Sequence, residues 1–376
     1  MSCGNNDNGA LGRQIGSASD GCDAPDLCSD ELDSTPHIIP GLECHKITSI
    51  CAGDGLSAVI TADGGLFIWG GIRVSAFYPS FPTANAQVDD ISQDKTGTVV
   101  LPNGQPCCQR PTRFYSPTEV SSVACGENHM LVLLGNGELY AWGVNDHFQL
   151  GNEPHEVNVI GPPVRVSFPH SPRVVYVAAG GMHSFAIDVV GDVWSWGANP
   201  RGQTGIDIGE NGQGETINSP RRVSTMCKGG SILADSRVVN IACGEFHSLF
   251  LLNDGRVFAC GGFDSGQLGL APEHILKSVN KIHHPRVLTG IATPREVQFP
   301  FPSRNRERII GINADSRRSM AWTNSHLFAW GMGNVGELGL GDVEEVFLPT
   351  LVDLNGQKPV QVSCGGLHTL ALCHKY

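Results

Sequence analysis

Four histidines, His129, His183, His247 and His368, each stand three residues after a glycine of a recurring frame, namely Gly126, Gly180, Gly244 and Gly365. Imidazoles repeated at one position could ring a metal or relay protons. Leu56 and Arg318 take the histidine's place in two degraded copies, and a metal or catalytic ring would hardly tolerate that. The expected role is structural: a buried polar side chain that staples neighbouring loops by hydrogen bonds. Thirteen cysteines are a second source of chemistry. Cys125, Cys243 and Cys364 recur at one repeat position, where a free thiol serves as a small buried hydrophobe. Neither Cys22, Cys28, Cys44 and His45 nor Cys107 and Cys108 have the paired spacing of structural zinc, so no metal is expected. No G-x-S-x-G elbow, phosphate-cradling G-x-x-x-x-G-K-[ST] or H-E-x-x-H is present, and no cofactor is expected.

The elements that must position these residues are copies of one unit, clearest in IACGEFHSLFLLNDGRVFACGGFDSGQLG at 241–269. Two β-rich runs flank Asp254-Gly255, a strong hairpin signal. Gly244, Gly255, Gly261 and Gly269 are spaced 11, 6 and 8 apart, and the same spacing recurs from Gly126 and from Gly180. Gly53, Gly64 and Gly70 keep the first two intervals, and a further copy has Ala314 and Ser325 in place of two glycines before Gly331 and Gly339. The last copy starts at Gly365 and stops where its hairpin should turn, while Gly4 and Gly12 supply the missing second half at the other end.

Internal repeats of this period predict an all-β propeller of four-stranded blades, six of them legible, closed by pairing of N- and C-terminal strands. Trp69, Trp142, Trp196 and Trp330 each precede a repeat glycine and are expected to fill the space between blades. The whole chain, 1–376, reads as a single propeller domain with loop insertions near 13–46, 71–122, 206–236 and 270–309.

Composition narrows the partners. The net charge is −12 with only 16% charged residues, which disfavours wrapping DNA phosphates and suits partners with basic patches. No sequence-specific nucleic-acid binding is expected. The first insertion carries Asp20, Asp23, Asp26, Asp30, Glu31 and Asp33 and is expected to be a solvated excursion. Arg304, Arg306, Arg308, Arg317 and Arg318 form the one basic cluster. Nothing resembles a secretory signal, repeated identical cysteine placement does not make disulfide pairs, and no apolar run approaches the ~20 residues of a membrane span; a reducing intracellular compartment is expected. From the residues alone, the chain is a scaffold whose loops bind a macromolecule.

The unit CGEFHSLFLLNDGRVFACGGFDSGQLG resembles the repeat of the regulator of chromosome condensation family over nearly the whole chain. CGNNDNGALGR with AGDGLSAVITADGGLFIWGGIR is similar to the second-repeat region of that family's nuclear Ran guanine nucleotide exchange factors. VGELGLGDVEEVFLPTLV with CGGLHTLAL is similar to their opening repeat, here at the C-terminal end, so the order implies a circular permutation or a missing repeat relative to the family's seven blades. The resemblance implies a Ran-type small GTPase as partner, nuclear location, and exchange by one propeller face that holds the nucleotide-free GTPase more tightly. By position it implies a wedge at 152–161, NEPHEVNVIG, with Glu153, His155 and Glu156. It implies contact loops at Glu127-Asn128, where an Asn-Asp pair is typical, and at Glu245 and His247. It also implies one at Asn334, where an acidic residue is typical. Chromatin or histone binding is weakly implied, since the chain begins inside a blade without a basic tail. A non-catalytic propeller scaffold is the alternative.

Overall fold

A computed structural model describes residues 2–4, 33–70, 98–100, 106–152, 163–207, 216–233, 235–271, 273, 290–302, 307–341, 345–366 and 368–374. The repeat glycines do the turning that the spacing demands. Gly255 closes its hairpin at φ +90°, and Gly261, at φ +109°, lies so close to the facing strand that a Cβ would fall 2.3 Å from the Phe246 carbonyl oxygen. Neither position accepts a side chain without strain or displacement. The chain divides into two compact units, Met1–Asp146 with Asn152–Ser167, and His147–Gly151 with Phe168–Tyr376.

In the first unit, β1 (Ser2–Gly4) pairs β2 (Asp33–His37). The strands β3 (Ile47–Ala52), β4 (Leu56–Thr61), β5 (Leu66–Gly70), β6 (Thr98–Val100) and β7 (Pro106–Phe114) form an antiparallel sheet in the order β3-β4-β5-β7-β6. The next sheet is β8 (Val120–Cys125), β9 (His129–Leu134), β10 (Leu139–Gly143) and β11 (Val164–Arg165), in chain order. Leu56, Ile68, Met130, Val132 and Trp142 share one core between these two sheets.

The second unit repeats the plan with β12 (Val174–Ala179), β13 (His183–Asp188), β14 (Val193–Ala198) and β15 (Thr216–Arg222). It continues with β16 (Val238–Cys243), β17 (His247–Leu252), β18 (Val257–Gly262) and β19 (Gly290–Glu296), then β20 (Gly311–Asp315), β21 (Arg318–Trp322), β22 (Leu327–Met332) and β23 (Glu345–Val352). Each set is a four-stranded antiparallel sheet. The last pair is β24 (Lys358–Gly365) with β25 (His368–His374). The inner strands β13, β17 and β21 are buried along their whole length, and burial of each Leu or Phe on them is worth roughly 1.5–3 kcal/mol. Phe185 meets Phe250 edge to face at 5.4 Å across β13 and β17.

These four-stranded antiparallel sheets are the blades that the repeat predicts. The expected closing ladder is not shown: among the described residues β1 pairs only β2, and β24 only β25. Three spans expected as insertions carry outer strands instead, β7 after residue 71, β15 after 206 and β19 after 270. Those strands lack the glycine frame, and in β15 only Ile217 and Pro220 are buried. A register shift corrects the degraded copy. Cys243 pairs Ser248 and Ala314 pairs Ser319, so Asp315, not Ala314, stands where Gly244 does. The cause is the following turn: Leu251 pairs Val257, whereas Trp322 pairs Leu327, one residue sooner.

Candidate functional site

Two of the histidines are staples within the second unit, whereas His368, expected to be a third, is exposed at the start of β25. His183 Nε2 lies 2.8 Å from Ser248 Oγ, and His247 Nε2 2.8 Å from Ser319 Oγ, each reaching the next blade. Each serine hydroxyl gives its single proton to a backbone carbonyl, Ser248 to Gln203 and Ser319 to Gln267, both at 2.8 Å. The serine oxygen must therefore accept from the histidine, which places the imidazole proton on Nε2. Burial pushes His247 down to about 4, with the Arg318 backbone opposing, so the ring is neutral at pH 7. In the first unit, burial pushes His129 down to about 4 as well. Gly244 is glycine because a Cβ there would stand 2.3 Å from the His247 ring.

The glutamine two residues before the last repeat glycine, Gln149, Gln203 or Gln267, completes the staple. Gln149 and Gln267 carbonyls also accept the indole N–H of Trp196 and Trp330, at 2.8 and 2.9 Å. The glutamine side chains turn back onto their own loops, Gln149 Oε1 accepting from His147 N and Gln267 Oε1 from Ser265 N. In the degraded copy both partners change together. Arg318 replaces the histidine and donates from Nη2 to the carbonyls of Gly365 and His368, at 2.9 and 3.2 Å. Glu337 replaces the glutamine, accepts from Val335 N at 2.7 Å, and lies 3.8 Å from Arg318 Nη1.

His247 is fully buried. This corrects its sequence-based role as a contact residue: a side chain bonded inside the blade cannot meet a partner. Glu245 and Phe246, one and two residues earlier, are partly exposed. Glu245 Oε2 lies 3.6 Å from Arg317 Nε, and its amide donates to the Ser316 carbonyl. Beside them Arg201 Nη1 meets Asp264 Oδ2 at 2.6 Å and its guanidinium stacks over the Phe246 ring at 4.7 Å. Against the pull of burial, hydrogen bonds from Arg201 and Gln267 hold Asp264 below the usual carboxylate range. Asn334 sits exposed at a loop tip next to Val335, 63% exposed.

The second unit thus brings Glu245, Phe246, Arg317, Arg201 and Asp264 into one charged cluster. The resemblance pointed to Glu245 and Phe246 but missed Arg201 and Asp264. Their signal was opposite charge on consecutive copies of the loop after the Trp-Gly position, at Arg201 and Asp264. Asn334 occupies the register of Asp264 one copy on and carries no charge. In the first unit, Glu127 and Asn128 are partly exposed, and the Asn128 carbonyl accepts from Val144 N at 2.8 Å. Glu153, His155 and Glu156, and the expected wedge apart from Asn152, lie outside the described residues. Among the described residues, no three His, Cys, Asp or Glu side chains are grouped to hold a metal ion, and no helix is long and apolar enough to cross a membrane. The arrangement offers charged, hydrogen-bonding loops carried on paired strands.

A family model described as an RCC1-like domain matches residues 1–371. The chain is 29% identical over 376 residues to protein pim1 of Schizosaccharomyces pombe, covering 96% of this chain and 61% of that protein. It is 29% identical over 392 residues to the guanine nucleotide exchange factor SRM1 of Saccharomyces cerevisiae, covering 97% and 73%. The human probable E3 ubiquitin-protein ligase HERC3 is 33% identical over 275 residues, covering 68% of this chain and 23% of the ligase. Among solved structures, Prp20p of Saccharomyces cerevisiae, described with its binding to Gsp1p and histones, superposes with a TM-score of 0.74 at 25% identity, covering 99% and 77%. The chain thus spans about three fifths of pim1 and about three quarters of SRM1.

Proposed function

Because the chain belongs to the RCC1-like domain family, we propose that it is a guanine nucleotide exchange factor for a Ran-type small GTPase, acting in the nucleus. The observation that carries this reading is the 29% identity to the exchange factor SRM1, which runs across 97% of the chain rather than through one repeat. The charged loop cluster agrees with it. Exchange needs no covalent step: a protein that binds the nucleotide-free GTPase more tightly than the loaded one must weaken the hold on nucleotide by the same factor.

In this mechanism Glu245, Arg317, Arg201 and Asp264 form a preorganised polar surface, with Asn334 adding a hydrogen-bonding tip. Glu127 and Asn128 form a second contact loop, and the 152–161 segment is the wedge that disturbs the phosphate and magnesium site. Carboxylates on such a surface compete with nucleotide phosphates for the GTPase's cationic groups. Fluorescent GDP release from a loaded Ran-type GTPase tests the reading. Release should accelerate and saturate with added protein; an unchanged intrinsic rate at concentrations where the complex forms would reject it.

A second reading, a propeller that only docks protein partners, draws on Glu245 being engaged by Arg317 and on the uncharged Asn334. The 33% identity over 275 residues to HERC3, a ligase of different named activity, agrees with it. The release assay separates the two.

A further inference from the structure

Cys51 lies one residue from the end of β3 and Cys125 is the last residue of β8, on neighbouring blades of the first unit. The Cys125 amide donates to Cys51 Sγ at 3.1 Å. In the second unit the corresponding amide, that of Cys364, donates to Asn313 Oδ1, also at 3.1 Å. A sulfur therefore stands where an amide oxygen serves in the other pair of blades. A neutral thiol is a weak acceptor and a thiolate a strong one, so this position favours the deprotonated form.

The two strand ends are close. A Cβ at Gly53 would fall 2.1 Å from the Gly126 carbonyl oxygen, so the backbones meet here, and Cys51 Sγ at 3.1 Å from the Cys125 amide nitrogen lies only two bonds from the carbon that carries the Cys125 sulfur. Both cysteines are partly exposed, and Ala52 and Asp54 beside Cys51 are open to solvent. The side-chain hydrogen bond with Cys125 holds Cys51 below the usual thiol range, against the pull of burial, and pushes Cys125 up. The two thiols thus differ as an attacking and a resolving cysteine do.

We propose that Cys51 and Cys125 are a hydroperoxide-responsive thiol pair whose disulfide joins β3 to β8 directly before the Gly126-Glu127-Asn128 loop. The Cys51 thiolate attacks one peroxide oxygen, the O–O bond breaks, and Cys51 becomes a sulfenic acid as the other oxygen leaves as water. The Cys125 sulfur then attacks Cys51 Sγ, forming the S–S bond and expelling the sulfenic oxygen as a second water. Overall two thiols lose two hydrogens and one hydroperoxide is reduced. The step is independent of nucleotide exchange.

The test is thiol mapping on the full chain. Reduced protein is treated with hydrogen peroxide, the chain is denatured, remaining thiols are alkylated, and peptides are analysed by mass spectrometry without reductant. The expected result is a linked Cys51–Cys125 peptide, two hydrogens lighter than its reduced parts, while Cys243 and Cys260, pushed up by burial, stay alkylatable. In Cys125→Ser, a dimedone adduct should accumulate at Cys51; the wild-type map decides if that variant does not fold. The proposal is overturned if Cys51 and Cys125 alkylate equally before and after peroxide, or if other cysteines link in equal yield.

Discussion

Arg318 and Glu337 form a buried ion pair, Nη1 to Oε1 at 3.8 Å, with side chains 2% and 1% exposed. The neighbouring repeat holds His247 and Gln267 at the same two places. Two substitutions that would each bury an uncompensated charge therefore occur together. Arg318 also receives Asp315, at 3.4 Å, from the position of the missing repeat glycine.

Arg318→Ala should lower stability by about 3–5 kcal/mol, because it strands the Glu337 carboxylate inside the blade. Arg318→His combined with Glu337→Gln rebuilds the neighbouring staple and should recover most of that loss. Urea melts of the single and double variants read both numbers. Equal destabilisation by the double variant would contradict the pairing.

Acid should weaken the fold before its carboxylates protonate. His129 and His247 sit at about 4 when folded and near 6.5 unfolded, so the unfolded chain binds the extra protons. Stability is then fully present above about pH 6.5 and falls as pH drops toward 4, by up to about 3 kcal/mol per histidine. Denaturant midpoints at pH 7, 6 and 5 should decline steadily, and His247→Gln should flatten the decline. A level profile over that range would contradict neutral burial.

Gly244→Ala tests the steric fit between turn and staple. The added methyl overlaps the His247 ring at 2.3 Å and the Ser316 carbonyl at 2.7 Å, so a loss of roughly 1–3 kcal/mol is expected. His247→Ala in the same chain should couple non-additively, since the two sites share one space. Additive losses in thermal melts would disprove that sharing.

Much of this was legible because glycines at fixed intervals mark close approaches that no side chain survives. The structural role of His247 followed from Leu56 and Arg318 standing in its place. Other features left no such mark. Strands β15 and β19 lie among variable spans and contribute few buried side chains, so neither periodicity nor glycine spacing announced them. Ala314 was misplaced by one residue because a shortened turn at Thr323–Leu327 compensates in the glycine count. The Arg201–Asp264 pair joins two copies at positions where each departs from the other, and a repeat alignment hides such departures.

Glu245→Lys should slow the nucleotide release that this protein stimulates from the GTPase about tenfold, while leaving the melting temperature nearly unchanged. Its partner Arg317 is 37% exposed, and such half-exposed pairs contribute only ~0–1 kcal/mol to stability. Release rates and melting curves of the one variant separate a contact role from a structural one. A normal rate would remove Glu245 from the contact surface.

The central claim is differential binding, and the direct measurement is the dissociation constant of this protein for a Ran-type GTPase in its nucleotide-free and GDP-magnesium forms. The account expects the nucleotide-free form to bind tighter by about a hundredfold or more. Equal affinity for the two forms would contradict it, because a partner that does not discriminate between them cannot displace the nucleotide.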